Sequence, residues 1–319
     1  ERSIPQHKMK LTAISAFLAL LAAVPAVANN VLSVSDASMT PTAIMPQSAE
    51  TDTRKMLENW YLQNYTVLDT EADSRESAEL TDEIIMDRLS RLPVSIEMPF
   101  NSVVGNSIRF YAKRRQLVEN MLGLSIYYMP IFEEALERHG LPRELRYLPV
   151  IESALVPTAK SRAGAGGLWQ FMPATGAGLG LEQNSLVDMR FDPYKSSEAA
   201  AIYLKQLYST YNDWSLAIAA YNCGPGNVNK AIRRAGGGKK DFWEIYPFLL
   251  PETRGYVPAF IAANYIMTYH KNHNISPVLA RRPIVVDTVH VSRRVHFDQI
   301  SEVLDIPMEE LRALNPQYR

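Results

Sequence analysis

An all-α fold is expected over residues 80–275, and three observations carry that expectation. Apolar residues recur at helical spacing, most clearly where Ala200, Tyr203, Leu204, Leu207, Tyr208 and Tyr211 fall on one face of a helix over Ser196–Tyr211. Prolines and Asn or Asp residues stand where such runs begin, and glycines stand where they end. Strand-like alternation is confined to the stretch after Asn274. A helical region of this length can enclose a substantial core.

The elements follow in order. Lys8, Met9 and Lys10 precede the apolar run Leu11–Val24 and then Ala26-Val27-Ala28. A charged start, a short hydrophobic stretch and a small-residue cleavage site mark residues 1–28 as a secretory signal peptide, and the run is too short to span a bilayer comfortably. Glu1–His7 lie ahead of Met9, the plausible initiator, and carry no visible function. Residues 29–79, rich in Ser, Thr, Pro, Ala and acidic side chains, read as a flexible spacer. Arg109–Gly140 carries helical patterning through Ile126, Met129, Ile131, Phe132, Ala135 and Leu136.

Pro142 and Pro149 each suit the first turn of a short helix, which sets Glu152 at the end of the second, with Pro157 as its stop. Asp192-Pro193 reads as a helix start. Asn212 and Asp213 cap a helix bearing Trp214, Ala217, Ile218 and Tyr221, ended by Asn222 and the Gly224-Pro225-Gly226 break. Residues 276–284 form a linker. In 285–319, Thr288-Val289-His290-Val291 alternates like a strand, Phe297–Leu304 and Met308–Leu314 read as short helices, and Asn315-Pro316 closes them.

Composition narrows the function classes. The formal net charge is −1; taking away residues 1–28 removes three basic and one acidic side chain and leaves about −3, so no basic field exists for nucleic acid. The single cysteine, Cys223, cannot make an intrachain disulfide and is remote from the cleavage site, which argues against lipid attachment and for a soluble periplasmic enzyme. The six histidines are scattered, with no His-Glu-x-x-His or paired-cysteine pattern, so neither metal nor cofactor is expected.

Glu152 is the candidate for chemistry. Its neighbours Val150, Ile151, Ala154, Leu155 and Val156 are apolar, and desolvation there should raise its pKa and keep it a proton donor near neutral pH. Glycines 164, 166 and 167 let backbone approach a bulky ligand, and Gln170 offers a donor and an acceptor to sugar hydroxyls or amides. Trp169 and Phe171 either stack on a sugar or fill core, core being expected for at least one. Tyr221 sits on the buried side of its helix, where a phenol fills core or aims its hydroxyl at a site.

Glu152-Ser153, Gly167-Leu168-Trp169-Gln170, Ala220-Tyr221-Asn222 and the Glu252–Pro258 run, in this order and spacing, resemble the family 1 lytic transglycosylases of the goose-lysozyme-like superfamily. The resemblance covers Leu141–Tyr269 and implies a lysozyme-like helical catalytic domain acting on peptidoglycan glycan strands. By it, Glu152 is the catalytic acid and base, Ser161 and Gln170 position substrate, Tyr221 lies beside the glutamate, and Asn222 and Tyr256 complete the substrate-binding candidates. One position departs: many relatives have serine where this chain has Gly166.

An ordinary glycosidase uses two carboxylates, yet no Asp or Glu lies between Ser153 and Leu181. Glu182, Asp188 and Asp192 come next. Their distance favours the family chemistry, in which the substrate's own N-acetyl group and C6 hydroxyl replace the second carboxylate and water. Two alternatives stay open, a hydrolytic muramidase and a glycan-binding protein on an inactive scaffold. Residues 285–319 resemble most of a LysM module, a small peptidoglycan-binding unit of strand, two helices and strand, with its last strand absent.

Overall fold

The computed structural model describes residues 8–9, 80–278, 286, 288–291 and 293–319. The signal peptide, apart from the backbone of Lys8 and Met9, the 29–79 spacer and most of the 276–284 linker lie outside the described residues. Twelve α-helices make up the architecture among the described residues, joined by short 3-10 turns. The expected all-α class is what is observed. The sheet among these residues is one two-residue antiparallel pair, β1 (Lys8–Met9) with β2 (Val289–His290).

Helix α1 (Asp82–Ser90) starts at Thr81 and α2 (Ser102–Ala112) at Asn101, whose side chains accept the Ile84 and Val104 amides. Helix α3 (Arg115–Arg138) follows after a break, so the patterning over Arg109–Gly140 belongs to two helices. No glycine or proline marks that break; Arg114 leaves the helical region and lays its guanidinium 3.3 Å from the Phe110 ring centroid. Ile126, expected on the apolar face, is 49% exposed, whereas Phe132 and Leu136 are fully buried.

A 3-10 turn, Arg143–Tyr147, leads into α4 (Leu148–Ser153), the two short helical pieces that Pro142 and Pro149 signal. Pro157 does not stop α4. The chain turns earlier, at Ala154 and Leu155, both left-handed (φ 49 and 65), a conformation that costs non-glycine residues about 1–2 kcal/mol each. After α5 (Pro173–Gly178), α6 (Pro193–Tyr211) begins at Asp192, whose carboxylate accepts the Tyr194 and Lys195 amides. Asp213 caps α7 (Trp214–Cys223), and Gly224, at φ 80, both ends α7 and opens α8 (Pro225–Arg234).

Helix α9 (Phe242–Ile245) precedes α10 (Pro251–Tyr269), which is buried along most of its length from Thr253 to Met267. Helix α10 is the axis of the domain, packing on α2, α7 and α4. Small residues permit the close approach: Ala217, Ala219 and Ala220 of α7 and Ala259, Ala262 and Ala263 of α10 are fully buried. This packing fixes α4 against α10, and so fixes Glu152 opposite a face of the long helix.

The C-terminal elements match their sequence signals residue for residue: α11 (Phe297–Leu304) and α12 (Met308–Leu314). They enclose a small separate core of Ile300 and Leu311, covered by Val291, Val295, Phe297, Ile306 and Tyr318. No described helix is long and apolar enough to cross a membrane.

Candidate active site

Glu152 is half-buried at the end of α4, where the left-handed turn at Ala154 and Leu155 lets the chain leave without covering it. Its Oε1 accepts a hydrogen bond from the hydroxyl of Tyr256, which is itself 1% exposed. Burial pushes the carboxyl up from 4.5 to about 7; the Tyr256 hydrogen bond pulls it down, and the charge of Glu252 adds to the rise. The expectation drawn from the apolar neighbours is therefore met. Burial, and then the Glu152 charge, also push the Tyr256 and Tyr221 phenols well above 10, so both remain neutral donors.

The adjacent Ser153 is a structural residue. Its buried hydroxyl bridges Pro149 O at 3.0 Å and Leu168 O at 2.9 Å, tying α4 to the Gly167–Gln170 turn. That turn depends on Gly167: at φ 80, a Cβ there would lie 2.0 Å from the Arg190 carbonyl oxygen. Gln170 is also left-handed (φ 47), and its Nε2 donates to Ala159 O at 3.1 Å and Gly167 O at 2.8 Å. The amide nitrogen, expected as a donor to a sugar, thus holds the loop, and the side-chain Oε1 of Gln170 keeps its acceptor capacity.

Trp169 and Phe171 are both core. Trp169, 1% exposed, packs edge-on against Phe132 at 5.2 Å and donates its indole N–H to Ser197 Oγ at 2.9 Å; Phe171 is 3% exposed. Tyr221 donates to Trp169 O at 2.8 Å, so it lies beside the glutamate with its hydroxyl committed to the loop. Asn222 accepts from Thr253 Oγ1 at 2.9 Å, joining α7 to the start of α10. Ser161 accepts the Ala165 amide at 3.0 Å and shapes the glycine-rich turn. The structure brings Glu152, Tyr221 and Tyr256 together, while Ser161, Gln170 and Asn222 have backbone or helix-joining roles beside them.

Of the carboxylates that follow in sequence, none is a spare base. Asp192 caps α6, Glu182 accepts from Asn184 Nδ2 at 2.7 Å, and Asp188, 1% exposed, is held by Arg190 and Arg319 at 2.8 Å each. The carboxylate whose charge reaches Glu152 is Glu252, 100 residues away by number and one helical turn before Tyr256. Its signal was the spacing of Glu252 and Tyr256, which shares a helix face. Where many relatives carry serine, a Cβ on Gly166 would meet the Phe191 ring at 2.7 Å. That space is filled by an aromatic ring.

Comparison with known proteins finds two family matches along the chain. Residues 129–244 match the transglycosylase SLT domain, and residues 285–319 match the LysM-like domain of lytic transglycosylase MltD. Residues 129–244 are thus similar to the SLT transglycosylase domain. It is 31% identical to membrane-bound lytic murein transglycosylase D of Escherichia coli (strain K12) over 221 residues, which is 68% of this chain and 48% of that protein. The chain thus spans about half the length of that relative. Soluble lytic murein transglycosylase of Salmonella typhimurium (strain LT2) is 36% identical over 119 residues, 35% of this chain and 18% of its own. The 70 kDa soluble lytic transglycosylase of Escherichia coli aligns in structure with a TM-score of 0.41 at 20% identity, covering 72% of this chain and 37% of that one.

Proposed function

We propose that this SLT-domain chain is a peptidoglycan lytic transglycosylase that cleaves the β-1,4 bond between MurNAc and GlcNAc and leaves a 1,6-anhydroMurNAc end. The observation that carries the reading is one carboxyl, Glu152, raised to about 7 and oriented by a buried phenol. Because Tyr256 donates to Oε1, the acid proton of Glu152 is placed on Oε2.

In the first step Glu152 gives that proton to the bridging oxygen as the bond from C1 breaks, and the MurNAc N-acetyl oxygen stabilises the anomeric carbon. In the second, the Glu152 carboxylate takes the proton of the C6 hydroxyl while O6 bonds to C1. The glutamate ends as it began, and no water is consumed. Tyr256 and Tyr221 supply neutral dipoles beside the charge that forms transiently on Glu152. Ser161, Gln170 and Asn222 shape and face the strand-binding surface, with Gln170 Oε1 as an acceptor. Neither a metal nor a cofactor enters the scheme.

The LysM-like match at 285–319 supports a second contact to the wall, with 29–79 as a spacer and residues 1–28 as the export signal that delivers the enzyme to the periplasm. Mass analysis of products from purified murein tests the reading. Anhydro ends, lighter by one water than reducing ends, are expected. Reducing ends would make the chain a hydrolase, and Glu252 the carboxylate to substitute first.

A further inference from the structure

The side chains that hold the Gly164–Phe171 loop from behind belong to neither the acid nor the phenols. Arg190, 4% exposed, donates through Nη1 to Gly164 O at 2.6 Å and Phe171 O at 2.9 Å, the two ends of the loop. Its Nε and Nη2 donate to the two oxygens of Asp188 at 3.0 and 2.8 Å, a forked pair. The same Asp188 Oδ2 also accepts Arg319 Nη2 at 2.8 Å. Around this junction Asp188 N donates to Gln317 O at 2.8 Å, Arg319 N donates to Leu186 O at 3.0 Å, and Val187 bridges Tyr318 as a short antiparallel pairing. Tyr318 packs edge-on against Phe297 at 5.7 Å, within the LysM-like core.

We propose that Arg190 is the positioning residue for the loop that carries Gln170, and that the last residues of the LysM-like segment hold Arg190 through Asp188, so that seating of this segment sets how firmly the loop is held. The path is a contiguous chain of ion pairs and hydrogen bonds from the small core of 285–319 to both ends of the loop. On the outer side of Asp188, residues 184–186 are exposed, so Gln317–Arg319 are the cover that pins this carboxylate from without. Burial would raise the Asp188 carboxyl, yet the donors of Arg190 and Arg319 hold it below the ordinary aspartate range, so the junction stays charged. Removing Arg319 leaves Asp188 still paired with Arg190, so the fold survives while Arg190 is held less firmly against the loop.

The inference deepens the proposed function and rests on it for the kinetic arm alone. Hydrogen exchange is measured on the full chain for the loop amides Ser161, Gly166, Gly167 and Phe171, with the amides of α10 as an internal control. In Arg319→Ala the loop amides are expected to exchange about tenfold faster with α10 unchanged. Arg319→Lys, which keeps the charge, should recover most of the protection. Arg190→Lys, which loses the fork, should give the largest acceleration at the same four amides. On short soluble glycans, Arg319→Ala should raise KM about threefold with kcat and its pH profile unchanged, because the loop positions substrate and does not carry the proton. Loop exchange equal to the parent in Arg319→Ala overturns the coupling, and so does an equal acceleration of loop and α10. Should the parent yield no anhydro product, the proposed function fails while the exchange comparison keeps its meaning.

Discussion

Glu152 and Asp188 are two carboxyl groups withdrawn from water in one domain, and their neighbours drive them in opposite directions. Around Glu152 the groups that act are a phenol and a second carboxylate, so burial prevails and the proton is retained to about pH 7. Around Asp188 two guanidiniums converge, and the carboxyl stays ionised and closed to solvent. Burial alone therefore does not make a proton donor. The presence or absence of a cation decides whether a buried carboxyl serves chemistry or architecture.

The comparison can be broken at either residue. Glu152→Gln should lower turnover by about 10²–10⁴-fold while glycan binding persists, since the amide keeps the shape and loses the proton. Its stability should change with pH in a definite sense. A carboxyl at about 7 when folded and 4.5 when unfolded binds more protons in the folded state, so its contribution is fully present below pH 4.5 and is lost as pH rises through 7. Urea unfolding should accordingly find Glu152→Gln more stable than the parent at pH 8, by on the order of 2 kcal/mol, with the advantage vanishing near pH 4. An equal difference at both pH values would remove the claim of a strained acid.

Asp188→Ala should do the reverse. It leaves Arg190 buried without its partner and should cost about 3–5 kcal/mol in urea unfolding at neutral pH. A smaller loss, within about 1 kcal/mol, would show that Arg190 finds water or another acceptor. The mildest expectation sharpens the comparison at Glu152 itself. Tyr256→Phe removes the interaction that lowers the glutamate, so the alkaline limb of the activity profile should move to higher pH as turnover falls about tenfold. A limb moving to lower pH would mean that the phenol favours the protonated acid.

Local patterns in the sequence read well where the structure is locally determined. α11 and α12 were visible to the residue, because each is bounded by turn residues and has one apolar face. The start of α6 was visible because Asp192-Pro193 cap it by contacts within three residues. The rise of Glu152 followed from its immediate neighbours. Pairings across the chain were not legible: Tyr256 reaches Glu152 over 104 residues, and the family resemblance made it a candidate without disclosing that contact. Equally hidden was the pairing of Asp188 with Arg319, 131 residues on, which only folding joins. That the amide nitrogen of Gln170 bonds Ala159 O and Gly167 O was hidden for the same reason, since the left-handed turn that aims it at the backbone is a tertiary outcome.

The Phe191 ring beside Gly166 has a consequence for descent. A Cβ at 166 would come within 2.7 Å of the Phe191 ring, so serine there requires that ring to shift or a smaller residue at 191. Among relatives the two positions should therefore change together, and a single swap at 166 into this background would meet overpacking of about 1–3 kcal/mol before any gain from a new hydroxyl. A serine at 166 together with a smaller residue at 191 would avoid that cost.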